Sequence, residues 1–196
     1  MQALIENARA FASRGEELSH LEAGQSPGTL FLSCSDSRVV PALITGARPG
    51  ELFELRTAGG VVPRYSAGRP SGEAATIEYA VEVLGVSDVV ICGHSGCGAV
   101  TALVTGADLG GVPAVRGWLE REATVTAAAK VPGSGEPDIP RAVQEHILIQ
   151  LETLRAYPCV SARVADGRLR LHAWFYEVHT GRVTTHDAGS EEFLPL

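Results

Sequence analysis

The stretch Ser87-Asp88-Val89-Val90-Ile91-Cys92-Gly93-His94-Ser95-Gly96-Cys97-Gly98 decides the fold. Its first half is a short run of β-branched, apolar residues with no polar alternation, which predicts a strand buried on both faces. Its second half is glycine-rich and leads into an apolar helical pattern, so a strand, a loop and a helix follow directly on one another. Upstream, Thr29 to Ser33 repeats the theme: Pro27 and Gly28 precede a short apolar run, and polar residues follow it. Glu51 to Arg56 offers a further strand before Gly59-Gly60. Between the strands, Val39 to Ile44 reads as a short helix, and Ser71 as the N-cap of a helix in which Ala74, Ile77, Val81 and Leu84 keep helical spacing until Gly85. Such alternation predicts parallel strands joined by right-handed crossovers, with functional loops at the strands' carboxyl ends.

Outward from this unit, residues 1–24 predict an amphipathic helical arm that ends at Gly24 and Pro27, with little core of its own to cover. Pro113 to Lys130 reads as a helix, Val131 to Pro137 as a loop, and Asp138 to Tyr157 as a long helix capped by Asp138 and ended by Pro158. Leu169 to Val178 alternates like a strand, turns at His179 to Arg182 and returns from Val183; the last ten residues read as a tail or packing arm. The expectation is one α/β domain over residues 1–196, with a mostly parallel sheet flanked by helices.

Composition narrows the function classes. With 23 acidic against 16 basic residues the net charge is −7, which disfavours nucleic acid and anionic membrane surfaces as partners. No run approaches the roughly 18–20 apolar residues that span a bilayer, and the first residues lack a signal-peptide core, so a cytoplasmic protein is expected. Four cysteines in 196 residues do not form a disulfide framework and direct attention to metal or nucleophile chemistry.

Zinc takes thiolate and imidazole ligands, and a catalytic site holds one of four positions open. Cys34 and the pair His94 and Cys97 supply such a set, each just beyond a predicted buried strand. Alone, the residues also fit a plainer account in which both cysteines pack as small hydrophobes and His94 caps a helix. Asp36 and Arg38 likewise fit an ordinary loop ion pair.

Ser33-Cys34-Ser35-Asp36-Ser37-Arg38-Val39, then Arg56-Thr57-Ala58-Gly59, then Gly93-His94-Ser95-Gly96-Cys97-Gly98 resembles the signature set of the β-class carbonic anhydrases, in order and at family spacing. The resemblance implies a Zn2+ ion on Cys34, His94 and Cys97 and reversible hydration of carbon dioxide to bicarbonate through zinc-bound hydroxide. It implies a dyad in which Arg38 holds Asp36 off the metal, and a closed form in which Asp36 becomes a fourth ligand. Gln25, Phe53 and Tyr79 align with substrate-pocket positions of plant-like members, and Gly98 with a backbone donor to substrate. Phe31 stands where members inhibited by bicarbonate at a second site carry Trp, so the plant-like type is expected. Thr57 and Gly60 depart from the Asn that many members have. A homodimer or a tetramer of dimers is implied. Hydrolysis of carbon disulfide or carbonyl sulfide on the same scaffold, and a bicarbonate-sensing module without turnover, are the competing functions. Cys92 and Cys159 are assigned to packing, and His20, His146, His172, His179 and His186 receive no role.

Overall fold

Leu30 and Leu32 point to one side of the first strand and Phe31 to the other, all three buried, and this two-sided burial places the strand inside a sheet with apolar packing on both faces. The computed structural model describes residues 1–123, 131 and 134–196, with Glu16 and Glu17 described by backbone only. Its sheet runs in the order β2-β1-β3-β4-β5-β6, from β1 (Thr29–Cys34), β2 (Leu52–Thr57), β3 (Asp88–His94), β4 (Arg170–Tyr176), β5 (Val183–Asp187) and β6 (Glu192–Pro195). The first four pair in parallel and the last two add antiparallel. The chain leaves β1 toward β2 on one side and returns to β3 on the other. Neighbouring β1 and β3 therefore form a topological switch point, whose carboxyl ends open a crevice.

The main core joins Leu30, Leu32, Val89 and Ile91 to Val143, Ile147, Leu151 and Leu154 of α7 (Ile139–Arg155) and to Ala74 and Ile77 of α4 (Gly72–Glu78). A smaller cluster on the opposite face contains Phe31, Val90 and Cys92, flanked by Leu52, Trp174 and Tyr176. The approach of α7 to the sheet requires Gly93: a Cβ there would lie 2.6 Å from Ile147 Cδ1 and 2.9 Å from Val143 Cγ1.

The helix read from Ser71 to Gly85 forms as α4 followed by a π-helical stretch, Tyr79–Leu84. Ser71 Oγ accepts from Ala74 N at 3.1 Å, and Gly85 closes the element at φ 67°. Asp138 caps α7 by accepting from Arg141 N at 3.1 Å.

Four expectations need correction. The amino-terminal arm is not one helix: α1 (Gln2–Phe11) and α2 (Gly15–Leu18) are separated and followed by 3-10 turns, and Gly24 then turns at φ 105°. The helix read from Pro113 to Lys130 is α6 (Pro113–Glu122), with Ala123 already extended and residues 124–130 outside the described part. Pro158 does not merely end a helix: it opens α8 (Pro158–Ala165), because a proline's missing N–H costs nothing in a first turn. The last residues, read as a tail, supply β6, which completes a meander on β5.

Candidate metal centre

Cys34 is the last residue of β1, His94 the last of β3, and Cys97 the N-cap of α5 (Gly98–Thr105). The parallel pairing of β1 with β3 brings together residues about sixty positions apart in sequence. All three are buried, and their ligand atoms lie within 4.8 Å of one another. Gly98 is the first residue of α5, beside Cys97.

The donor set fits a soft divalent cation. His94 Nδ1 donates to Ser95 O at 3.1 Å, which fixes the tautomer and leaves Nε2 with its lone pair. That Nε2 is fully buried and has no hydrogen-bond partner. An orphaned acceptor in a protein interior is costly, and a metal ion satisfies it. The two thiols are in hydrogen-bond contact: that contact pulls Cys34 below the ordinary thiol range against the opposing effect of burial, while Cys97 is pushed up by the same contact and by burial. A cation between them would let both act as thiolates. Burial pushes Cys92 up to about 12 and also raises Cys159, and neither belongs to the group of metal-ligating atoms that Cys34, His94 and Cys97 form among the described residues.

Asp36 stands beside this cluster. Its Oδ2 lies 3.8 Å from His94 Nε2 and accepts from Arg38 Nη2 at 2.7 Å; its Oδ1 accepts from Arg38 Nε at 2.9 Å and from the Arg38 backbone N at 2.9 Å. The Arg38 hydrogen bonds hold the carboxyl well below the usual carboxylate range. Arg38 Nη2 also reaches Gly96 O at 3.3 Å, tying the dyad to the second ligand loop.

Arg56 fixes the first ligand loop. Its guanidinium donates to three carbonyls: Cys34 O at 3.1 Å, Asp36 O at 2.8 Å and Val39 O at 2.7 Å. The sequence signal for it was a cation inside a predicted strand, where a charge is out of place unless it has work to do. The second loop is held by Ser95, whose N donates to Tyr176 O at 2.9 Å and whose Oγ accepts from Val178 N at 3.0 Å.

Gln25, Phe53 and Tyr79 are placed elsewhere in the chain. Phe53 pairs with Leu30, four residues before the Thr57 that pairs with Cys34, which is about 13 Å along the strand. Tyr79 is 43% exposed and its ring lies 6.0 Å from that of Phe53. Gln25 is exposed ahead of β1. All three sit toward the amino ends of the parallel strands, and the ligands at the carboxyl ends.

Comparison with known proteins agrees with this geometry. The family described as "Carbonic anhydrase" matches residues 29–183. A carbonic anhydrase of Pseudomonas aeruginosa is 43% identical over 189 residues, covering 95% of this chain and 86% of the relative. The solved β-carbonic anhydrase CcaA superposes with a TM-score of 0.87 at 34% identity, covering 100% of this chain and 99% of that one. A tetrameric β-carbonic anhydrase from Sordaria macrospora superposes with a TM-score of 0.69 at 26% identity, covering 94% of each chain.

Proposed function

The chain belongs to the β-carbonic anhydrase family, zinc enzymes that interconvert carbon dioxide and bicarbonate, and we propose that Asp36 and Arg38 divide the protein's part of that reaction between them. When bound at Cys34, His94 and Cys97, zinc lowers the pKa of a coordinated water and so supplies a nucleophile near neutral pH. Two thiolates neutralise the ion's formal charge, so its acidifying power is weaker than with three neutral ligands and a neighbouring acceptor is useful.

The observation that carries the reading is the clamp on Asp36. A carboxylate this close to His94 Nε2 would otherwise compete for the metal. With Arg38 donating to both its oxygens, it stays ionised and turned aside. In that position the Asp36 carboxylate would accept a hydrogen bond from a water or hydroxide beside His94 Nε2 and orient it toward carbon dioxide. The Gly98 N–H, at the start of α5, faces no intrahelical acceptor and is offered to a substrate oxygen.

Gln25, Phe53 and Tyr79 serve the pocket of a partner subunit. Their distance from Cys34 within one chain supports this, as does α1, which exposes Leu4, Ile5 and Phe11 and buries no residue of its own. A homodimer or a tetramer of dimers, as in the tetrameric Sordaria relative, satisfies both. Phe31, packed edge-on against Trp174 at 5.9 Å, fills the position that carries Trp in bicarbonate-inhibited members and supports the plant-like type. No helix among the described residues is long and apolar enough to cross a membrane, and four free thiols suit the reducing cytoplasm.

Stopped-flow carbon dioxide hydration across about pH 6.5–9, with a zinc assay, tests the function. Hydration that rises with pH at one zinc per chain is expected. Bound zinc with no hydration at any pH would overturn the reading.

A further inference from the structure

Three residues of the segment that follows β2 are held by distant side chains. Trp118 Nε1 donates to Ala58 O at 3.0 Å, His146 Nε2 donates to Gly59 O at 3.0 Å, and Gln150 Oε1 accepts from Val62 N at 2.8 Å. Two of these side chains lie one turn apart on α7 and are almost fully buried, His146 at 3% and Gln150 at 0% exposure. Each leaves one polar atom unpartnered, His146 Nδ1 and Gln150 Nε2. The rest of that helix face is Ala142, Val143, Ile147, Leu151 and Leu154, so two more aliphatic residues would pack there at lower desolvation cost. Burial holds His146 below its ordinary range, so it is neutral and its one ring proton is committed to the carbonyl.

The held segment lies between the two cysteine-bearing backbones. Gly59 and Gly60 are both left-handed, at φ 79° and 63°. A Cβ on Gly59 would meet Ala99 Cβ at 2.9 Å, two residues past Cys97; one on Gly60 would meet Cys34 N at 3.4 Å. The Gly-Gly turn is thus a spacer whose placement sets how far apart the β1 and α5 ligands stand.

We propose that His146, with Trp118 and Gln150, is a positioning residue for the zinc shell: it fixes the Gly59-Gly60 spacer between Cys34 and the start of α5 and so sets the ligand separation. This rests on the zinc shell of Cys34, His94 and Cys97, and none of the three residues touches substrate.

The test compares purified zinc enzyme with the variants H146L, H146Q and W118F. Zinc dissociation constants come from chelator competition, and visible spectra from the cobalt-substituted proteins report ligand geometry directly. H146L removes the donor at similar volume and is expected to weaken zinc binding about 10–100-fold with displaced cobalt bands. H146Q, which keeps an N–H at similar reach, is expected to recover most of both. If H146L does not fold, W118F decides, since Trp118 is half-buried and its replacement keeps an aromatic ring; a weaker change in the same direction is expected. A wild-type dissociation constant and cobalt spectrum in the deciding variant overturns the proposal, whatever happens to thermal stability, as does failure of H146Q to recover a loss seen in H146L. Wild-type protein that binds no zinc would refute the shell itself, a separate result.

Discussion

Arg38 engages both carboxylate oxygens of Asp36 from two positions along the chain, at 2.9 and 2.7 Å, while the carboxylate stays 3.8 Å from the imidazole nitrogen that faces the ligand cluster. On the proposed mechanism this pairing is what keeps Asp36 off the metal. Arg38→Ala is expected to lower kcat/KM for carbon dioxide hydration about 10–100-fold while zinc content stays at one per chain. Its residual activity should also shift toward higher pH, because the freed carboxylate closes the site until hydroxide displaces it. Stopped-flow rates with metal analysis check both.

Cys34→Ala removes a thiolate whose partner thiol then keeps its proton. Zinc content of the purified variant is expected to fall well below one per chain and hydration to fall to the uncatalysed rate, with the fold retained by circular dichroism. A strong chelator applied to the wild type should do the same, reversed by added zinc.

Asp88 accepts from Arg170 Nε and Nη2, both at 2.7 Å, and from His172 Nε2 at 2.8 Å, joining β3 to β4. The Arg170 hydrogen bonds hold the carboxyl well below its usual range. Its folded pKa is depressed, so its contribution is complete above the unfolded value near pH 4 and is lost as pH falls below that. Asp88→Asn should therefore destabilise by about 1–3 kcal/mol at pH 7, and the difference from wild type should shrink in urea titrations near pH 3.

Gly93→Ala puts a methyl group into Ile147 and Val143. A loss of about 1–3 kcal/mol is expected from overpacking. Adding Ile147→Val should return part of it, a non-additivity read by urea unfolding of the single and double variants.

Leu4→Glu with Phe11→Glu places charges on the exposed apolar face of α1. Sedimentation velocity is expected to show smaller species, with hydration activity reduced about tenfold or more as the partner's Gln25, Phe53 and Tyr79 leave the pocket.

Cys34, His94 and Cys97 were legible as thiol and imidazole groups just beyond predicted buried strands, but packing accounted for them as well until the resemblance to the β-class carbonic anhydrases singled them out as ligands. The N-caps at Ser71 and Asp138 were legible from local pattern alone. What escaped was set by context. Glu192–Pro195 carries an acid and a proline and has no strand character of its own; it pairs only because β5 offers an edge. Pro158 signals an end or a beginning depending on which side the helix lies. Gln25, Phe53 and Tyr79 could be matched to pocket positions, but only the register of Phe53 with Leu30 places them far from Cys34. His146 and Gln150 left a trace, a pair of polar residues on the apolar stripe of α7, but their partners are backbone groups about ninety residues away.

The wide separation of Cys34 and His94 along the chain also orders events in time. No short segment holds the complete donor set, so the ion cannot nucleate folding as it does in a zinc finger. The donor set is complete only where the non-local β1–β3 pairing has formed. Zinc is then a latch on a finished sheet: by binding the native chain more tightly than the unfolded one it would stabilise the fold by mass action, by an amount that grows with the logarithm of its free concentration.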